Sequence, residues 1–207
     1  PTMTLTASAV ADGGNHNAAV TMIFTSSEAT SNFVAGDITA TNASVSNFTP
    51  ITGGRAYTAT ITPSSSAPSV VVGSNKFTDG AGNNNTTSNT YNWTHDTTPP
   101  TGNSISINGG ASYTNSTSVT LTLASTGASQ MRFKNESSGT YTSYEAYATS
   151  KSWTLANSEG TNTVYVQFKD VVGNVASAVS DTIDFDTTSP TMTLTASAVA
   201  DGGNHNA

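Results

Sequence analysis

Apolar and polar positions alternate one by one along most of the chain. Met3 and Leu5 sit among Thr2, Thr4 and Thr6. Val20, Met22 and Phe24 flank Thr21 and Ile23, and Tyr57, Ala59 and Ile61 flank Thr58 and Thr60. A period of two is the signature of a strand with one face in a core and the other in water. The same pattern predicts strands at Val70/Val72 with Phe77 beyond, and at Tyr91/Trp93. Later it recurs at Ile105/Ile107, Val119/Leu121/Leu123, Met131/Phe133, Trp153/Leu155, Val164/Val166/Phe168 and Ile183/Phe185. Gly, Asn, Asp and Pro collect between these runs, which favours short antiparallel strands joined by turns. No segment carries a 3.6-residue apolar period. About six strands in each stretch of roughly 95 residues predict an all-β chain of β-sandwiches.

The segment PTMTLTASAVADGGNHNA occurs twice, at Pro1–Ala18 and again at Pro190–Ala207. Identity over the whole segment marks one period of a tandem array followed by the start of the next. The true N-terminus is then expected to lie elsewhere. A weaker repeat lies inside the period. F-x-D-x-x-G-N is met at Phe77–Asn83 and at Phe168–Asn174, and D-T-T-x-P-T at Asp96–Thr101 and Asp186–Thr191. The expected organisation is therefore module A over 1–98, module B over 99–189, and the first strand of another module A over 190–207. Proline in the connecting segments fixes its own φ and restricts its predecessor, so these linkers should be short and extended.

Thr, Ser and Asn number 38, 29 and 20 and make up roughly two-fifths of the chain, while strong helix formers are scarce; this reinforces strands over helices. The 6 basic residues against 13 acidic ones, a net charge of −7, argue against nucleic acid, whose phosphates need clustered Lys and Arg. Cysteine is absent, which removes disulfides, thiol catalysis and zinc–thiolate sites together. No apolar run is long enough for a membrane-spanning helix. An acidic, hydroxyl-rich surface suits an extracellular protein or a cation binder.

Several segments carry a family likeness. In the first module these are Phe24–Glu28, Asn32–Ile38, Ser46–Thr49, Tyr57–Pro63 and Phe77–Asn83; in the second they are Thr163–Asn174 and Asp186–Thr188. Together they resemble the bacterial immunoglobulin-like repeats of giant adhesins and other long cell-surface proteins. The resemblance implies tandem Ig-like sandwiches in an extended array, at the cell surface, often with calcium at the junctions. Calcium takes about six to eight oxygen ligands. One candidate set is Asp12, Asp96, Asp170 and Asn174, which an Ig-like topology would bring to one junction. A second starts from Asp184 and Asp186, placed on one strand face by alternation, with Asp181 nearby; their partners would be the next copy's Glu28, Asp79 and Asn83. An Asp in D-x-x-G-N is equally a good turn residue, since its side chain bonds its own backbone.

Other chemistry is thin. His16 and His95 sit in no catalytic or zinc motif, and G-x-S-x-G is missing, so an enzyme is not expected. Tyr141, Tyr144, Tyr147 and Trp153 could stack on sugar rings or pack on the sandwich. N-x-S/T sequons begin at Asn42, Asn47, Asn84, Asn85, Asn92, Asn115 and Asn135, about as many as composition alone gives, so glycans are possible partners without being selected for. The leading expectation is a structural extender whose partners are neighbouring repeats. The alternatives are a filament subunit assembled by strand exchange with other copies, and a carbohydrate-binding module. Where Met3/Leu5 and Met192/Leu194 pack distinguishes the first two.

Overall fold

Thr–apolar alternation builds the first sheet. Strands β1 (Met3–Ala7) and β3 (Val20–Ser26) pair antiparallel, Met3 opposite Ser26 and Leu5 opposite Phe24. In β3 every second residue points inward, and Val20, Met22 and Phe24 are fully buried. Burying each such side chain contributes about 1.5–3 kcal/mol. The computed structural model describes residues 1–156 and 159–195. The chain divides into two compact units. The first takes in Pro1–Thr101 with Thr126–Gln130 and Phe168–Ala176; the second takes in Gly102–Ser125, Met131–Gln167 and the chain from Ser177.

The first unit also contains β2 (Asn15–His16), β4 (Ile38–Thr41), β5 (Ala43–Thr52), β6 (Ala56–Pro63), β7 (Ser69–Val72), β8 (Tyr91–Asn92) and β9 (Thr94–His95). One sheet has the order β1-β3-β6-β5, a second β4-β7-β8, and β2 joins β9 in a short parallel ribbon. The core lies between the two sheets. Leu5, Met22, Phe24, Tyr57, Ala59 and Ile61 meet Ile38, Val70, Val72, Tyr91 and Trp93 there. At its centre is Phe33, which belongs to no strand. Its ring lies 5.0–5.9 Å from those of Phe24, Phe48, Tyr57 and Phe77. Tyr57 donates its hydroxyl to the carbonyls of Thr30 (2.9 Å) and Gly54 (3.1 Å), so its polar end is satisfied inside the core. Gly54 has φ +67° and a Cβ there would stand 2.5 Å from the Thr30 carbonyl oxygen, so the turn excludes any side chain.

Two departures from the sequence pattern have local causes. β4 and β5 were not expected as strands. β5 breaks its alternation at a bulge between Ser46 and Thr49, where Asn47 takes φ 51°. Phe77 is 1% exposed but lies in a loop, closed by an isolated bridge between Thr78 and Asn84.

The later strands, mostly in the second unit, repeat the plan: β10 (Thr101–Ile107), β11 (Tyr113–Thr114), β12 (Ser118–Thr126), β13 (Gln130–Asn135), β14 (Glu145–Ala146), β15 (Ser150–Thr154), β16 (Gly160–Lys169) and β17 (Val179–Phe185). Its sheets have the orders β10-β12-β15 and β11-β17-β16-β13-β14. Ile107, Leu121, Phe133, Val164, Val166 and Ile183 are buried between them. Trp93 is buried in the core of the first unit, whereas Trp153 is half-buried against Phe133, 5.4 Å away. Again a short parallel ladder closes the unit, Tyr113 opposite Asp184 and Thr114 opposite Phe185.

Met3 and Leu5 therefore pack in their own module. Their second copies, Met192 and Leu194, are each 86% exposed. The rest of the repeated segment, 196–207, lies outside the described residues.

Candidate functional site

The two F-x-D-x-x-G-N motifs form the same turn. Asp170 Oδ1 accepts the backbone N–H groups of Val172 (3.0 Å), Gly173 (2.7 Å) and Asn174 (2.8 Å), and its Oδ2 accepts Asn174 Nδ2 (2.8 Å). Asp79 Oδ1 accepts Ala81 N and Asn83 N, both at 2.9 Å, and Oδ2 accepts Asn83 Nδ2 at 2.9 Å. Both carboxylates are largely buried. Each is held by its own backbone, as a short acidic side chain in a turn should be.

The Asn83 side chain and backbone N–H hold the Asp79 carboxyl below the usual carboxylate range, with Ala81 N–H adding to them against the opposing effect of burial. The sign follows. A carboxylate whose folded pKa is depressed stabilises the fold above its unfolded value, about 3.9, and loses that contribution as pH falls through the folded value. The stability difference between the wild type and Asp79→Asn is therefore expected to be constant from neutral pH down to about 4.5 and to shrink at lower pH. Urea midpoints of the two proteins across that range check this; a difference unchanged down to about pH 2 would contradict it.

Of the first candidate set, the structure brings together Asp96, Asp170 and Asn174. Asn174 Nδ2 donates to the Asp96 carbonyl at 2.9 Å, and Asn174 Oδ1 accepts Asn17 Nδ2 at 3.1 Å. The Asp96 carboxylate caps Thr98 N (3.0 Å). Asp12 turns instead to Asn92 N (2.8 Å). Burial, with the Asp12 charge adding to it, pushes the Tyr91 phenol up, and that hydroxyl donates to the Val10 carbonyl at 2.5 Å. In this set the Asp170 oxygens accept N–H donors, and the Asp96 carbonyl accepts an amide N–H. Among the described residues no three His, Asp or Glu side chains group as a metal ion would need.

The second set is more open. Asp181 and Asp184 line a concave pocket of about 330 Å³ with Gly110, Ser112 and Thr161. Asp181 Oδ2 accepts Ile107 N (2.8 Å) and Asp184 Oδ1 accepts the Thr161 hydroxyl (2.6 Å). Among the described residues, the other carboxylate oxygen of each makes no hydrogen bond within the protein. Asp186, past the end of β17, caps Thr188 N (2.8 Å). Glu28 Oε1 lies 3.9 Å from the Pro1 nitrogen, and Asp79 and Asn83 are bonded to each other through Asn83 Nδ2 and Asp79 Oδ2.

The tyrosine cluster is engaged internally. Arg132 stacks over Tyr141 (4.5 Å) and Tyr144 (4.6 Å), while Lys134 stacks over Tyr141 and Tyr165, both at 5.0 Å. The Tyr147 hydroxyl accepts Ser125 N, and Trp153 donates to Asn135 Oδ1 (2.7 Å). Cations thus lie over faces of Tyr141, Tyr144 and Tyr165.

Asn17, Thr161 and Asn85 were not anticipated from the sequence. Asn17 follows the strand that pairs with the module's last strand, and that adjacency is the signal that could have found it. Thr161 is the cross-strand neighbour of Asp184. Asn85 had no signal beyond a sequon.

Residues 1–94 match the family described as bacterial Ig-like domain. Among curated proteins no sequence matches the chain. Matches among solved structures include fibronectin(III)-like modules of Clostridium thermocellum CbhA, at 17% identity and a TM-score of 0.45, covering 87% of this chain and 93% of that one. The Yersinia pseudotuberculosis adhesin InvE matches at 19% identity and TM-score 0.33, over 89% of this chain and 58% of its own. The BSP domain of a biofilm associated protein matches at 16% and 0.28, over 90% of this chain and 30% of its own. Over its first module, the chain is thus similar to the bacterial Ig-like domain family.

Proposed function

We propose that the chain is a structural spacer, one period of a repeat array in a long bacterial surface protein that works outside the cell and without catalysis. The observation that carries this is the return of residues 1–18 at 190–207. In its first copy that segment supplies β1 and the turn leading to β2, elements that open an Ig-like module rather than end one. Calcium belongs to the proposal at the Asp181–Asp184 pocket, whose lining includes two carboxylates and the Thr161 hydroxyl. Its affinity should be in the millimolar range of extracellular modules.

Small-angle scattering on chains of one, two and three periods tests the spacer. The maximum dimension is expected to grow by a near-constant step per period; a two-period chain no longer than one period would overturn the reading. Isothermal titration tests the ion separately. Heat is expected with millimolar calcium and should be lost in Asp184→Asn. Absence of heat in the wild type removes the ion and leaves the spacer standing.

A further inference from the structure

Asn174 makes a three-point contact inside the first unit. One N–H of its amide goes to Asp170, the other to the Asp96 carbonyl, and its oxygen accepts from Asn17. Gly173 lies beside this contact: a Cβ there would stand 3.5 Å from Asn17 Nδ2, an ordinary contact distance. The groups involved come from two motifs, and each motif occurs twice.

Hydrogen bonds identify the second occurrence. Asp96 N donates to the His16 carbonyl, and Asp186 N donates to the Thr114 carbonyl. Thr98 N bonds Asp96 Oδ1 as Thr188 N bonds Asp186 Oδ1. Asp186 thus corresponds to Asp96, and Asn115, the residue after Thr114, corresponds to Asn17, the residue after His16. On the other side, Asp79 holds its turn as Asp170 does, so Asn83 corresponds to Asn174. This second set is not closed. Asn83 Nδ2 bonds Asp79 Oδ2, and no further side-chain hydrogen bond of Asn83 exists among the described residues. There the Asn115 side chain and the Asp186 carbonyl make none either. Burial agrees: Asn17, Asp96 and Asn174 are partly covered, whereas Asn83, Asn115 and Asp186 are exposed. Gly82, the counterpart of Gly173, has nothing within 4 Å of the point where a Cβ would stand.

We propose that Asn83 of one copy closes on Asn115 and the Asp186 carbonyl of a second copy, repeating between periods the contact that Asn174 makes with Asn17 and Asp96. The partner is another copy of this chain, and the inference rests on the reading that copies follow one another. The joint needs no ion, since an amide supplies both donor and acceptor. Linkage in one chain supplies the effective concentration that so small a contact requires.

A chain of two periods, residues 1–189 followed by residues 1–207, contains one such joint, and the absence of native cysteine makes cross-linking clean. With Asn115→Cys in the first period and Asn83→Cys in the second, oxidation is expected to form the disulfide at least about tenfold faster than with Asn115→Cys and Ser65→Cys, an exposed loop position. Equal rates would overturn the joint while leaving the spacer reading, which scattering tests, untouched. A second measurement avoids substitution. In the wild-type two-period chain one Asn83 side-chain amide should exchange its hydrogens more slowly than in the single period; an unchanged rate also overturns the proposal.

Discussion

Phe33→Ala is expected to destabilise the first unit by about 3–5 kcal/mol, the range for removing a buried aromatic ring. The ring is 3% exposed and touches four others, with T-shaped contacts to Phe48, Tyr57 and Phe77. Such pairs add about 0.5–1.5 kcal/mol beyond area burial. A module of this size has about 5–15 kcal/mol in all, so one substitution removes a large share. Its thermal midpoint should fall by more than about 10 °C. Phe33→Leu keeps most of the volume and should lose clearly less. Unfolding followed by urea and by heat checks both. A loss below about 1 kcal/mol for the alanine variant would mean that the five rings do not form the centre of this core.

Asn85→Asp is expected to cost the same unit about 3 kcal/mol or more, and Asn85→Ala a similar amount. Asn85 is 2% exposed, and its amide makes four bonds. Oδ1 accepts Lys76 N (2.7 Å) and Phe77 N (3.0 Å), while Nδ2 donates to the carbonyls of Gly73 (2.7 Å) and Thr86 (2.8 Å). Alanine strands all four backbone groups. Aspartate keeps the two acceptor roles but brings a charge into the core and cannot donate to the carbonyls. The corresponding position in the second F-x-D-x-x-G-N segment is Ala176, whose N–H meets Phe168 O as Asn85 N meets Phe77 O. Variants with wild-type unfolding midpoints would show that the loop 73–86 does not depend on this side chain. The sequon at Asn85 is accordingly closed to glycan attachment in the folded state, whereas Asn42 and Asn115 are exposed.

The fold was legible where apolar residues alternate with threonine. Met3/Leu5, Val20/Met22/Phe24 and Val164/Val166/Phe168 all became strands with those residues inward. β5 was hidden because a bulge at Asn47 shifts its inward face midway, so no single period runs through it. β2 and β11, two residues each, carry no period at all. The acidic residues were legible as a group but not in their partners. An aspartate in a D-x-x-G-N turn and an aspartate awaiting an ion have the same sequence; which N–H groups surround the oxygen decides, and chain spacing does not encode that. Asn17 and Asn174 came together across 157 positions, a separation no local pattern can announce.

The short parallel ribbons have a mechanical consequence. In each module the first half of the ribbon lies near the start of the chain segment and the second near its end, at His16/His95 and at Thr114/Phe185. Pulling the module's two ends apart loads these strands lengthwise. The bonds Thr94 N–Gly14 O and Asp96 N–His16 O, like Asp184 N–Ser112 O and Asp186 N–Thr114 O, would then share the tension in shear and have to rupture together rather than peel in turn. If the chain is the spacer proposed above, its resistance to extension would rest on these two-residue seams.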